Sequence, residues 1–112
     1  MSSPYSKYPT GIEQAFLDIA RVAATFVKAR VKFYCPITHT HPIAIHGGLD
    51  PYDHEVWIPL DTPLMEASDG LIIVMLPGWE KSHGINIELN HALQSNKPIF
   101  YYDPKSGEID ER

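Results

Sequence analysis

Apolar residues follow helical spacing in some segments of the chain and strand-like runs in others, and this pattern predicts an α/β fold. In Gly11–Arg30 they recur at steps of three and four and form one stripe, which predicts a helix. Thr10 and Glu13 have the spacing of a capping box at its start. The run Val31–Pro36 is β-branched and aromatic and ends at proline, which predicts a short strand.

Two continuous apolar runs in the second half of the chain predict buried strands. Gly70–Leu76 and Pro98–Tyr102 are of the type that helices cover on both faces of a parallel sheet. Helices are predicted over Asp61–Ser68 and Ser82–Gln94, and Asp61 is the expected N-cap of the first.

This alternation predicts a small doubly wound sheet of the flavodoxin or Rossmann type, mostly parallel and flanked by helices. Its first strand is truncated, since only Met1–Ser3 precedes the first loop. The 112 residues are expected to form a single domain, residues 1–112, in which the polar segment 103–112 is a loose tail.

The stretch Ile37–Pro63 is rich in histidine and proline, which predicts an ordered loop with a short helix near Asp53–Ile58. In an extended chain His39 and His41 would point the same way, as metal ligands can. Their spacing matches no established zinc pattern, so no metal is expected and the polar wall of a ligand pocket is favoured. The alternative metal site would be completed by His46, Asp50, Asp53 or His54.

Composition excludes several classes of function. The net charge is −5 and the chain carries no basic stripe, which argues against a nucleic-acid polymer as partner. Cys35 is the only cysteine, which excludes an intrachain disulfide and fits a reducing compartment. The start has no signal-peptide pattern, and no apolar run approaches the ~20 residues of a membrane span. A cytoplasmic protein without membrane contact or cofactor is expected.

The segment Leu76–Ala92 is the favoured working centre. Ligands of open α/β sheets bind where loops lead from strands into helix N-termini, and Ser82 and Gly84 lie at such a position. Glu88 follows one turn later on the face of Gly84, where a carboxylate can reach a ligand. On spacing alone, the favoured interpretation of Glu88 is a solvated residue that suits the helix dipole. Trp79 in the preceding loop could stack on a planar base or simply pack.

The strings SPYS, PITHTHPI, WIPLDTPLMEASD and LPGWEKSHGINIE resemble domain-of-unknown-function family 1937, over nearly the whole chain. By resemblance this family belongs to the nucleoside 2-deoxyribosyltransferase-like superfamily. The resemblance implies that Glu88 is the nucleophile toward the sugar anomeric carbon and that Asp61 assists the base or sugar. Ser82 and Gly84 would bind a 5′-phosphate. The first loop would cradle sugar or phosphate through Ser3, Tyr5, Ser6 and Lys7.

The implied function is therefore an N-glycosidic enzyme that acts on a nucleoside or nucleotide, either a deoxyribosyltransferase or a deoxynucleotide N-hydrolase. The tyrosine that orients the glutamate in this superfamily falls before Met1, and the first-loop arginine of some hydrolases is absent, with Lys7 the nearest cation. A nucleotide-binding accessory protein without catalysis is the alternative. The resemblance also implies a homodimer or higher homo-oligomer.

Overall fold

A three-stranded sheet forms the centre of the computed structural model, which describes residues 1–112. Its strands are β1 (Leu71–Val74), β2 (Ile99–Tyr102) and β3 (Ile109–Glu111), in the order β1-β2-β3. The first two are parallel, as predicted, and the third runs antiparallel to β2. The protein is therefore an α/β domain with a small, open, mixed sheet.

Four α-helices and one short 3-10 helix accompany the sheet. The α-helices are α1 (Ile12–Lys28), α2 (Pro36–Gly47), α3 (His54–Ala67) and α4 (His83–Gln94), and the 3-10 helix is Trp79–Lys81. None of them is long and apolar enough to cross a membrane.

Alternate residues of β1 pack on opposite faces of the sheet, which places helices on both sides. Val74 joins a core cluster with Ile19 and Phe26 of α1. Ile73 joins a second cluster with Ile85 of α4 and is fully buried. These two clusters explain why the run around β1 is apolar without alternation.

The helix at α1 is confirmed, but its predicted capping box is wrong. Gly11 is the N-cap, and no side chain caps the helix. The Glu13 carboxylate is instead engaged by the Nε2 atom of His41, at 2.9 Å. Glu13, which the local spacing assigned to the capping box, therefore binds a residue of another helix instead.

The predicted loop over Ile37–Pro63 is wrong, since α2 and α3 occupy most of it. Its prolines were interpreted as breaks, but Pro36 lies at the start of α2, where a missing N–H costs nothing. Gly48 then ends α2 in the left-handed conformation, with φ 70°. The Asp53 side chain caps α3 by accepting a hydrogen bond from the Glu55 N–H.

Three further local predictions differ from the structure. Asp61 is not a helix cap, because α3 begins seven residues earlier at His54. Val31–Pro36 contains no strand, and its end is the beginning of α2. The segment from Asp103 carries β3, which pairs with β2 through three residues from Ile109 to Glu111.

The first residues of the chain extend the sheet by a single parallel bridge between Ser2 and Ile73. The Ser2 N–H donates to the Ile72 carbonyl at 2.7 Å, and the Val74 N–H donates to the Ser2 carbonyl at 2.8 Å. On the opposite side, the Met1 nitrogen donates to the Tyr34 carbonyl at 2.6 Å. Met1–Ser3 is thus seated between β1 and the segment that precedes α2.

Gly70, immediately before β1, offers a test of this packing. A Cβ atom there would lie 3.0 Å from the Pro98 carbonyl oxygen, which is itself fixed by a hydrogen bond from the Leu71 N–H. We expect Gly70→Ala to lower the free energy of unfolding by about 1–2 kcal/mol in urea titrations. Gly47→Ala is the control, because nothing lies within 4 Å of its Cβ position. Equal stability of the two variants would contradict the proposed close approach.

Candidate functional site

Glu88 lies at the middle of α4 and lines a small cavity between that helix and the first residues of the chain. Tyr34 and His91 line the same cavity. Its free volume is about 30 Å³, enough for one or two water molecules. The sequence placed Glu88 on a helix face, and the structure adds that the half-buried Glu88 shares a cavity with Met1.

Burial raises the pKa of Glu88 to about 7. The positive charge of the Met1 amino group and the Ser2 side chain act in the opposite direction, and the negative charge of Asp61 adds to the rise. A carboxyl group with this pKa changes between its neutral and ionised forms near neutral pH, as groups that exchange protons in catalysis do.

Asp61 forms the second carboxylate of the site. The Tyr34 hydroxyl donates a hydrogen bond to its Oδ1 atom. Burial raises the pKa of Asp61, whereas the hydrogen bond from Tyr34 and the nearby His39 lower it. Burial and then the bond to Asp61 also raise the pKa of the Tyr34 hydroxyl, so it remains protonated as a donor.

Tyr34 is the residue of this site that the sequence did not reveal. It belongs to the aromatic run before Pro36, which was interpreted only as a strand. Its carbonyl oxygen accepts from Met1 and its hydroxyl donates to Asp61, so one residue connects the start of the chain to α3. A tyrosine close to the proline that ends the predicted strand was the only available signal, and it is not specific.

Three buried polar atoms, at the start of the chain and on α4, have no hydrogen-bond partner. They are the hydroxyl oxygens of Ser2 and Ser3 and the Nε2 atom of His91. The Ser2 hydroxyl influences the pKa of Glu88 although it has no partner within ordinary hydrogen-bond geometry, so we treat it as a nearby dipole. Unpartnered buried polar atoms are uncommon in folded proteins and are a typical feature of ligand sites.

A larger cleft of about 590 Å³ adjoins the cavity of Glu88. Met1 and Tyr34 line both spaces, and Phe33 and Phe100 contribute aromatic walls to the larger one. Its volume lies within the range of small-molecule sites, which is roughly 300–1,000 Å³. A ligand with a planar apolar part could therefore occupy the cleft next to Glu88.

The structure does not bring Ser82 and Gly84 into either space. The Ser82 hydroxyl is buried and accepts a hydrogen bond from the Ile85 N–H at 3.3 Å, which caps α4. Gly84 has nothing within 4 Å of its Cβ position. The Trp79 ring packs edge-on against Tyr101 at 5.7 Å, as part of the second core cluster.

The remaining candidates are the two histidines of α2 and the residues of the first loop. His39 and His41 lie on helix α2, about 200° apart around its axis, so they do not point the same way. His41 is buried and bonded to Tyr5 and Glu13, whereas His39 is exposed near Asp61. Ser6 and Lys7 are exposed in the first loop. No three histidine, cysteine or acidic side chains gather as metal ligands would.

Comparison with known families identifies one match. The profile of the domain of unknown function DUF1937 matches residues 1–104. The chain belongs to this family. The match covers every helix together with strands β1 and β2, and with them Glu88, Asp61 and Tyr34. A comparison with curated proteins gave no match.

The raised pKa of Glu88 predicts a pH-dependent stability. Between about pH 4.5 and 7 the folded state binds more protons at this site than the unfolded chain, so stability falls as pH rises through that window. We expect Glu88→Gln to remove this dependence and to be more stable than wild type at about pH 8, by roughly 1–3 kcal/mol.

Thermal melts of both proteins at about pH 5 and pH 8 would measure the effect. Glu80→Gln provides the control, since Glu80 is exposed and lies just before α4. A Glu88→Gln variant whose melting temperature follows the same pH course as wild type would show that Glu88 keeps an ordinary carboxyl pKa in the fold.

Proposed function

We propose that this DUF1937 domain is an N-glycosidic enzyme that acts on a nucleoside or nucleotide, with Glu88 as the nucleophile. The observation that carries the proposal is the pair formed by Glu88 and Asp61. Both carboxylates are desolvated, and the charge of Asp61 acts on Glu88. Two carboxyl groups in one site are what cleavage of a glycosidic bond through an oxocarbenium-like state requires.

The roles of the two groups follow from their surroundings. Glu88, in its ionised form, attacks the anomeric carbon; a C–O bond forms while the C–N bond to the base breaks and its electron pair leaves with the base. In its protonated form, which burial favours by raising the pKa of this carboxyl group, Asp61 supplies the proton that the departing base requires. Tyr34 donates to Asp61 Oδ1 and thereby leaves the Oδ2 atom for that transfer.

The second half of the reaction uses the same residues. Water or another base attacks the anomeric carbon, the bond to Glu88 breaks, and the proton of the incoming group returns to Asp61. The aromatic cleft next to Tyr34 would hold the base, because planar rings stack on aromatic side chains. Water as acceptor gives a hydrolase, and a second base gives a transferase.

We also propose a fold type and an oligomeric state for the domain. The fold type is the doubly wound fold of nucleoside 2-deoxyribosyltransferase-like proteins. Helices on both faces of β1 and the bridge between Ser2 and Ile73 support this proposal. We propose in addition that the chain forms a homo-oligomer. Supporting this, α2, α3 and the loop between them expose apolar side chains: Ile43, Ile45, Leu49, Val56 and Leu60.

A nucleotide-binding accessory protein without catalysis is the second candidate. One observation favours it: the cavity at Glu88 holds only about 30 Å³. Such a protein would be stabilised by a nucleotide that it never cleaves.

Base release or exchange over a panel of deoxynucleosides and 5′-monophosphates tests the main proposal. We expect Glu88→Ala to lower kcat/KM by at least ~100-fold, because the covalent route is lost. Wild-type activity should rise with pH through about 7, as the carboxyl ionises. Glu80→Ala is the matched control and should retain activity.

Two outcomes would reject the enzyme. One is wild type that is stabilised by a ligand in thermal melts but never releases base, which is the result expected of the accessory protein. The other is full activity in Glu88→Ala, which would remove the nucleophile from the mechanism.

Light scattering tests the proposed assembly. If the apolar side chains on α2 and α3 lie in a subunit interface, a charge introduced there should split the oligomer, because a buried unpaired charge is costly. We expect Ile45→Glu to reduce the measured mass to that of one chain, and Val27→Glu, at an exposed position of α1, to leave it unchanged. A wild-type monomer would contradict the assembly.

A further inference from the structure

His91 lines the same cavity as Glu88, and the proposed mechanism does not use it. Both residues belong to α4 and lie three positions apart, so their side chains are neighbours on one face of the helix. The Nε2 atom of His91 is buried and has no hydrogen-bond partner. In folded proteins such an atom normally binds an ordered water molecule or an ion.

The other polar groups that line this cavity beside the glutamate already have partners. The Met1 amino group donates to the Tyr34 carbonyl, and the Tyr34 hydroxyl is itself a donor to α3. The Lys97 Nζ atom donates to two carbonyls at the end of α3, at 2.8 and 3.0 Å. The Ser68 hydroxyl donates to a third carbonyl of that helix, at 2.8 Å. His91 is therefore the residue of the cavity lining whose buried polar atom is left to bind a small molecule.

The size of the cavity and the spacing of the two side chains fit a single water molecule. The free volume of about 30 Å³ holds one or two waters, and a buried water requires at least two polar partners. Residues three apart on a helix have Cβ atoms about 5–6 Å apart. A water can join Glu88 to His91 across such a gap, whereas Nε2 makes no direct bond.

We propose that Glu88 and His91 share one buried water molecule, and that His91 is a positioning residue that holds the ionised Glu88 carboxylate through this water. The Nε2–H group donates to the water oxygen, and the water donates a hydrogen to one carboxylate oxygen. The second carboxylate oxygen stays free to attack. The consequence for catalysis rests on the proposed function, whereas the shared water is a property of the fold alone.

The shared water adds to the groups that already act on the ionisation of Glu88. The Met1 amino group and the Ser2 side chain favour the ionised form, and the negative charge of Asp61 opposes it. A water that donates to the carboxylate also favours the ionised form and lowers its pKa. Removal of the water should therefore raise the pKa of Glu88 further above its present value of about 7.

Three substitutions of His91 test the role of its Nε2 atom. The amide group of glutamine reaches the place of Nε2, whereas that of asparagine is one carbon shorter and reaches only the place of Nδ1. We expect the pKa of Glu88 to be unchanged in His91→Gln and to rise by about 0.5 to 1 in His91→Asn and His91→Leu, the effect of one lost hydrogen bond. The ¹³C signal of the Glu88 carboxyl group, identified by its loss in Glu88→Gln, measures this pKa in an NMR titration.

The pH profile of kcat/KM separates positioning from a merely structural role. Because the nucleophile must be ionised, we expect the midpoint of the profile to move to higher pH in His91→Asn and His91→Leu. At pH 7 their rates should be lower than wild type by about 2- to 5-fold, which follows from the smaller ionised fraction. His91→Gln should keep the wild-type midpoint. A variant that only damages the fold would lower the rate at every pH and leave the midpoint in place.

An equal pKa of Glu88 in all four proteins would overturn the inference, and so would a rise in His91→Gln as large as that in His91→Leu. A wild type that releases no base would reject the proposed function, while the ¹³C titration would still decide the shared water. If a variant does not fold, a crystal structure of wild type decides. An ordered water within hydrogen-bond distance of Glu88 and of His91 Nε2 supports the inference, and a cavity without one overturns it.

Discussion

The seating of Met1–Ser3 between β1 and Tyr34 is the contact on which the candidate site depends. Three hydrogen bonds hold the segment: Ser2 donates one to β1 and accepts one from it, and the Met1 amino group donates the third to the Tyr34 carbonyl. Backbone groups at the edge of a sheet must find partners, and here the start of the chain supplies them. Burial raises the pKa of Glu88 beside this segment, whereas the Met1 amino group and the Ser2 side chain lower it.

Tyr34 connects the segment Met1–Ser3 to helix α3. Its backbone accepts from the first residue and its hydroxyl binds Asp61 on α3, so a change at the sheet edge is transmitted to the second carboxylate. On the other side of Met1–Ser3, Tyr5 is held by His41 and Glu13. Tyr34 therefore links the start of the chain to α3, and His41 links the first loop to α1.

Regular elements were predictable where a single local signal dominates. The apolar stripe of α1 reflects burial of one face along the whole helix, and the continuous apolar runs at β1 and β2 reflect packing on both faces of the sheet, so both patterns are visible in the sequence. Prediction failed over Ile37–Pro63, because proline and glycine mark both loops and helix ends. Whether such a segment forms a loop or a helix depends on whether its apolar side chains become buried against the rest of the protein, as those of Ile37 and Trp57 do.

The sequence by itself determined the α/β class and the two parallel strands, because these depend on periodicity, while the role expected of Glu88 came from the resemblance to a known family. Only the tertiary structure decided that Tyr34 binds Asp61, that His41 is buried against Glu13, and that Ser82 caps α4. Each of the first two contacts joins residues 27 or 28 positions apart. No local pattern encodes them, since they form only when packing brings separate helices and loops together.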